Sequence, residues 1–335
     1  MLAHFRSASG ASPTGDSFLA GLWDARSAVA LFFVLSGLVL HLSWAGEWPT
    51  PSATGRFYIR RWFRIYPLYY AALIVALAVT QMLPLGECPL LRSDAANAHV
   101  IAADHGDVWQ WLHHLLLIST GLDTAFIVPP IWTLAEEMRV SLIFPWLSWS
   151  VARASKTTAL AVIGLLFAVA PWLSAVILPA AGLLPLFAIG AWIAQHHRIV
   201  NLSRSWAIAL AGLALYAAAI HLHWRLHQPA VGIGAALVML AVLHGPGLRK
   251  ALGHPLLVLG GRCSYGIYVL HFPIAMAVVW WVWSHAWPMW TLYVIGIPLS
   301  MALALALHFA VDLPMIRVGR KLAMHRSADD AKDGH

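Results

Sequence analysis

Of 335 residues, 60% are hydrophobic and only 10% charged, against roughly 25% charged in an ordinary soluble domain. Apolar runs long enough to cross a bilayer recur down the whole chain, which excludes a soluble globular enzyme and predicts a polytopic membrane protein. The runs are continuous rather than short and alternating, which excludes a barrel and predicts an all-α bundle; the net charge of +7 comes with no nucleic-acid module and reads as topology.

Residues 1–5 (MLAHF) are apolar but far shorter than a span, and they run into a polar, Gly/Ser-rich stretch to about Asp24. This is not a signal peptide, which needs a basic leader and a longer apolar core. It reads as the tail of a helix whose beginning is absent. The first full span is predicted over 26–44; a basic loop follows, then a span over 62–83. Residues 84–130 form a long, wetter connection with Asp94, Asp104, Asp107 and several histidines. Within it, 108–119 predicts an amphipathic or re-entrant helix too short to cross. Further spans are predicted over 131–150, 157–178, 180–195, 205–222, 229–244, 264–283 and 289–311. The expected fold is therefore a membrane helical bundle of nine spans plus a remnant of a tenth. Residues 1–322 read as one transmembrane domain and 323–335 as a polar cytoplasmic tail, with no internal repeat.

Placing the basic 44–62 loop inside and alternating across nine spans puts 16 of the 21 Lys and Arg residues on the cytoplasmic side. Arg6, Arg26, Arg92 and Arg225 fall outside, and Arg139 lies within a span. That is the bias of the positive-inside tendency, and it places the C-terminus in the cytoplasm. Cys88 and Cys263 fall in predicted loops on opposite sides, so neither a disulfide nor a thiol site is expected.

The segment 57–70, FYIRRWFRIYPLYY, sets Arg60, Arg61 and Arg64 within two helical turns. Positive charge at a span end has an ordinary use as a headgroup anchor. The cluster, with Tyr58, Trp62, Phe63 and Tyr66 beside it, equally suits an anionic ligand, because guanidinium groups grip phosphate bidentately. In 131–150, Thr133, Glu137 and Ser141 recur every four residues as a polar stripe, while Glu136 and Arg139, three apart, can pair. An internal ion pair accounts for Glu136 and Arg139 and leaves Glu137 over as a functional carboxylate. Ser264, Tyr268 and His271 share a face in 261–273, where a satisfied core histidine is the ordinary reading against direct chemistry. Ser36–Gly37 within FFVLSG reads as a site of close helix packing. Trp44, Trp62, Trp132, Trp280 and Trp290 sit near predicted span ends, as in an interfacial belt. The 18 histidines include no HExxH and no metal-ligand spacing, so no metal is expected.

Four of these segments together resemble the acyltransferase-3 family of integral membrane O-acyltransferases. FFVLSG at 32–37 is similar to the family's second-helix phrase. RRWFRIYPLYY at 60–70 resembles its arginine motif, with Arg61 and Arg64 forming the RxxR and Arg60 flanking it. WTLAEEMRVSLIFP at 132–145 is similar to its tryptophan–glutamate segment, Glu137 aligning with the characteristic carboxylate. SYGIYVLHFP at 264–273 resembles the late Ser-Tyr…His-x-Pro phrase, and VDLPMIRVGRKL at 311–322 resembles the closing acidic-x-Pro stretch.

The resemblance implies about ten transmembrane helices in a bacterial inner membrane. It also implies a cytoplasmic acyl-CoA, commonly acetyl-CoA, as donor substrate rather than a tightly bound cofactor, and a carbohydrate or lipid-linked glycan as acceptor. By the same resemblance, Arg60, Arg61 and Arg64 bind the donor phosphates, His4 is the general base and Glu137 orients or activates a histidine. Tyr268, Ser36 or a backbone amide would face the developing oxyanion, with Trp132, Ser264 and His271 in support. The family's first helix carries an arginine followed ten residues later by a histidine. His4, 28 residues before Phe32, stands in the histidine's place, and the arginine would precede Met1. The chain is thus expected to begin inside that helix, either as a shortened member or with a start further upstream. The alternatives are a transporter or permease, which polar groups in spans also suit, and a shortened, inactive member of the family.

Overall fold

A computed structural model describes residues 24–44, 47–93, 100–101, 108–117, 128–176, 179–197 and 204–333, and every regular element in them is helical. In chain order these are α1 (Ala25–Trp44), α2 (Pro51–Met82), α3 (Pro89–Ser93), α4 (Val108–Leu115), α5 (Trp132–Arg153), α6 (Lys156–Val176) and α7 (Leu184–His196). There follow α8 (Ser205–Ala218), α9 (Trp224–His244), α10 (Pro246–Leu252), α11 (Pro255–Ser284), α12 (Thr291–Leu307), a π-helical turn (His308–Asp312) and α13 (Leu313–Asp333). Helix is the form that satisfies its own backbone in lipid. Even Pro67, Pro145, Pro229, Pro273 and Pro298 are accommodated inside helices.

The count of nine spans and a remnant does not hold. Among the described residues, five helices are long and apolar enough to cross a membrane: Ser27–Trp44, Pro51–Met82, Arg225–His244, Pro255–Ser284 and Thr291–Met324. Three expected spans correspond to the shorter apolar helices Lys156–Ala170, Ala181–His196 and Ser205–His221. The 13 residues of α7 rise about 20 Å, short of a hydrocarbon core about 30 Å thick. In α5 the length suffices, at 22 residues, but Glu136, Glu137 and Arg139 crowd its first half. The remnant at 1–5 lies outside the described residues. Other helices outrun their predicted limits. With 32 residues, α2 is about 48 Å long, so the arginines lie on the helix itself rather than in a loop before it. Alternation across nine spans therefore no longer assigns the basic residues to sides. Cys263 lies within α11, not in a loop, and both it and Cys88 are buried and free.

The described residues fall into two compact units, one drawn from Ser52–Ala135 and Val258–His335, the other from Thr14–Pro51 and Glu136–Leu257. In the second unit, α1 crosses α7 at paired glycines. A Cβ on Gly37 would overlap the backbone of Phe187, and one on Gly190 would overlap the carbonyl oxygen of Val34 and the amide of Leu38. Phe33 packs its ring 5.3 Å from that of Phe187 beside this crossing. The hairpin of α8 and α9 repeats the device, since a Cβ on Gly212 or Gly234 would come 2.8 Å from the other's carbonyl oxygen. Lipid gives helices little hydrophobic reason to associate, so backbone approach and dispersion supply it.

In the first unit, Gly266 of α11 sits against Ala304 of α12, and Gly319 of α13 lies under the ring of Phe63 on α2. The tyrosines of RIYPLYY hold α4. Tyr69, Tyr70 and Tyr66 donate their hydroxyls to the carbonyl oxygens of His114, Leu115 and Leu116 at 2.8, 3.0 and 3.0 Å. These carbonyls lie at and just past the C-terminal end of α4, where helical bonding runs out; that of His114 also accepts the Leu117 amide at 3.1 Å. The helix so held is amphipathic, as its pattern predicts, with Val108, Trp109 and Leu112 exposed and His114 buried.

Three outcomes follow for stability in detergent. Gly37→Val is expected to lower the unfolding temperature sharply or abolish folded yield, because overpacking of this kind costs about 1–3 kcal/mol or more. Gly164→Val, in α6 where a Cβ meets nothing within 4 Å, should leave it nearly unchanged. Tyr69→Phe should cost about 0.5–1.5 kcal/mol by removing one hydrogen bond to the His114 carbonyl, which keeps the Leu117 amide as a donor.

Candidate functional site

On α2 the three arginines are three and four residues apart, so one flank of the helix bears them all. Arg60 is exposed, and Arg61 and Arg64 are half-buried. Arg64 is anchored: its Nη1 donates to both carboxylate oxygens of Asp312, at 3.1 and 2.9 Å. Asp312 is 2% exposed, and its Oδ2 also accepts from His308 Nδ1 at 2.8 Å. A carboxylate withdrawn from water needs donors on its oxygens, and these two side chains supply them. His308 and Asp312 open and close the π-helical turn, a feature that recurs at functional positions. The Arg64 guanidinium lies 6.0 Å from the ring centre of Tyr265 on α11, at the outer edge of cation–π range. Tyr265 in turn donates to the Ile65 carbonyl at 2.8 Å, tying α11 to α2 beside the ion pair. Trp62 stacks on Tyr66 with ring planes 19° apart, giving the basic flank an aromatic neighbour.

The second cluster belongs to the other unit. Glu137 is buried on α5 and accepts from Ser36 Oγ of α1 at 3.2 Å. One turn on, Ser141 donates to the Glu137 carbonyl at 2.6 Å. The ion pair expected between Glu136 and Arg139 is present as a hydrogen-bonded contact. Further along the same helices, His41 bridges Ser148 Oγ on α5 at 2.8 Å and Gln195 Oε1 on α7 at 3.0 Å. The amide oxygen accepts, so Nε2 carries the hydrogen and Nδ1 receives the serine's. That is the order of a serine–histidine pair, but Ser148 is 0% exposed. The group braces three helices.

The remaining predicted residues divide. Tyr268 donates to the Pro130 carbonyl at 2.6 Å and also meets the Thr133 hydroxyl, which reaches the same carbonyl at 3.1 Å. It secures the entry to α5. His271 is buried, with Nδ1 2.6 Å from the Tyr268 carbonyl one turn back. Ser264 is bonded to the Gly261 carbonyl of its own helix at 2.8 Å, on an exposed surface. Trp132 is 37% exposed. His4 lies outside the described residues.

Sequence reasoning missed Asp312, His308 and His41. The first two carried a local signal, a histidine and an aspartate four apart in HFAVD; their partner Arg64 is 248 residues away. His41 follows Ser36 by five residues in an apolar helix and offers no spacing to read. Among the described residues, no group of three His, Cys, Asp or Glu side chains could hold a metal ion.

Compared with known proteins, residues 1–309 match the family model Acyl_transf_3, described as an acyltransferase domain. No curated protein and no solved structure matches the chain. The match covers nearly the whole length, and five long apolar helices agree with an integral membrane location. The chain belongs to the acyltransferase-3 family of membrane proteins.

Proposed function

We propose that the chain is a membrane O-acyltransferase that moves an acyl group, most simply acetyl, from acyl-CoA to a hydroxyl of a cell-envelope sugar or another glycan-like acceptor. Beyond family membership, the observation that supports this reading is the basic flank of α2. Three guanidinium groups share it, and one of them, Arg64, lies against a buried carboxylate. Arg60, Arg61 and Arg64 take the phosphates of the donor, where charge-assisted, forked hydrogen bonds are strongest.

The same end of the first unit carries more positive charge. Gly319 packs under Phe63, which brings Arg317, Arg320 and Lys321 near the arginine segment. Cationic ends face the cytoplasm, where acyl-CoA is made. This orientation needs no span count. In this reading residues 1–322 form the membrane domain of an inner-membrane enzyme and 323–335 a cytoplasmic tail.

In the reaction, a base takes the proton of the acceptor hydroxyl as its oxygen attacks the thioester carbonyl. The C–S bond then breaks, and the departing CoA thiolate receives the proton. His4 is assigned the base role, worth about 10²–10⁴ in rate. Glu137, fixed by Ser36, orients a histidine as the carboxylate of a hydrolytic triad does. The hydroxyl protons of Ser36 and Tyr268 are committed to Glu137 and to the Pro130–Thr133 turn. A backbone amide is therefore the better donor to the oxyanion, a role worth roughly 3 kcal/mol elsewhere. Trp132, Ser264 and His271 support the helices that carry these groups.

Purified protein given acetyl-CoA and a hydroxyl-rich glycan should release free CoA thiol in step with acetylated product. Transport of solute without thiol release would make the chain a permease instead. Glu137→Gln should lower kcat by about 10²–10⁴ at unchanged folded yield; full turnover in that variant would remove the carboxylate from the chemistry.

A further inference from the structure

The quartet of Arg64, Asp312, His308 and Tyr265 has a property that simple donor binding does not use. One buried carboxylate is shared by two side chains. Arg64 Nη1 and His308 Nδ1 meet the same Oδ2 at 2.9 and 2.8 Å. Their exposure differs: the Arg64 side chain is 39% exposed, whereas those of His308 and Asp312 are buried. An anion arriving from solvent can reach the guanidinium but not the carboxylate behind it. Asp312 is thus an internal rival for the cation that the donor phosphate needs.

We propose that phosphate docking at Arg64 displaces Asp312, and that His308 keeps the carboxylate by taking up one proton from solvent. This rests on the reading of the α2 flank as the donor-phosphate site. The charge balance drives it. Before docking, the Arg64 guanidinium lies against Asp312, and His308 Nδ1 is within hydrogen-bond distance of the same carboxylate. After docking, Arg64 is matched by phosphate, and a buried carboxylate left without a cation costs several kcal/mol. His308, already in contact on the same turn, becomes that cation. Of the other titratable groups on α11, Cys263 is near Asp312 and Tyr265 faces Arg64. The Tyr265 hydroxyl is bonded to Ile65, and neither group can become positive. The chemical step is excluded for this histidine, because the pantetheine arm separates the donor's phosphates from its thioester. By linkage, CoA affinity and proton binding at His308 strengthen each other equally.

The test is calorimetric titration of the full chain with CoA in buffers of different ionisation enthalpy. A mildly alkaline pH keeps the ligand's phosphomonoester fully dianionic, so that it takes up no proton itself. The wild type should gain roughly one proton per CoA bound, as linkage requires. His308→Asn keeps an N–H for Asp312 but cannot become charged; uptake should vanish and CoA should bind roughly tenfold more weakly. Asp312→Asn removes the rival, so uptake should vanish while CoA binds more tightly. A merely structural carboxylate predicts the opposite affinity change, through a misplaced Arg64. CoA binding without proton uptake in the wild type, or weaker binding in a folded Asp312→Asn protein, overturns the inference and leaves the donor site standing. No CoA binding by the wild type overturns both.

Discussion

Inside a helical membrane protein a charged side chain has few places to go, and the contact between Arg64 and Asp312 shows what that constraint does. The carboxylate is buried, so it must be matched by donors. Those donors come from α2 and from a π-helical turn that lies far away in sequence. Matching it draws the arginine segment, the late Tyr265 phrase and the closing acidic-x-Pro stretch into one cluster of the first unit. Three segments that look separate along the chain thereby have one physical reason to occur together. Before any ligand is bound, that pairing ties the arginine flank to the π-helical turn.

The second unit is organised differently. Its helices approach through glycines, Gly37 against Gly190 and Gly212 against Gly234. Polar side chains then bridge the close contacts, Ser36 to Glu137 and His41 to Ser148 and Gln195. Close approach and internal hydrogen bonding are what remain to hold helices together once the hydrophobic effect is spent on lipid. Glu137 is therefore a buried acid in a rigid setting, which suits a group that orients another. Ser148 and His41 are a contrasting case: a serine and histidine in bonding order, both buried in the packing of three helices.

Local features were legible in the sequence, and long-range ones were not. The pairing of Glu136 with Arg139 needs only a three-residue offset on a helix, and it is present. Gly37 was readable as a packing site because a small pair in an apolar helix has few other uses. The span count failed because an apolar run reads alike whether the helix crosses lipid or stops short, as α7 does. In α5, a run judged by its length carried too much charge to count. The tyrosine hydroxyls of RIYPLYY bond to carbonyls at the end of α4, 45 to 50 residues away, and nothing in a local pattern announces that. Asp312 was visible as part of a phrase, but its partner was not.

The central claim is that the guanidinium groups of α2 hold the phosphates of a coenzyme donor. It is tested most directly by comparing the affinity of CoA with that of pantetheine, which lacks the phosphates. Both would be measured for the wild type and for a variant with Arg60, Arg61 and Arg64 replaced by Gln. Charge-assisted bonds of this kind predict a CoA affinity roughly ten- to hundredfold lower in the variant, with pantetheine unaffected. Equal CoA affinity in the two proteins would contradict the account.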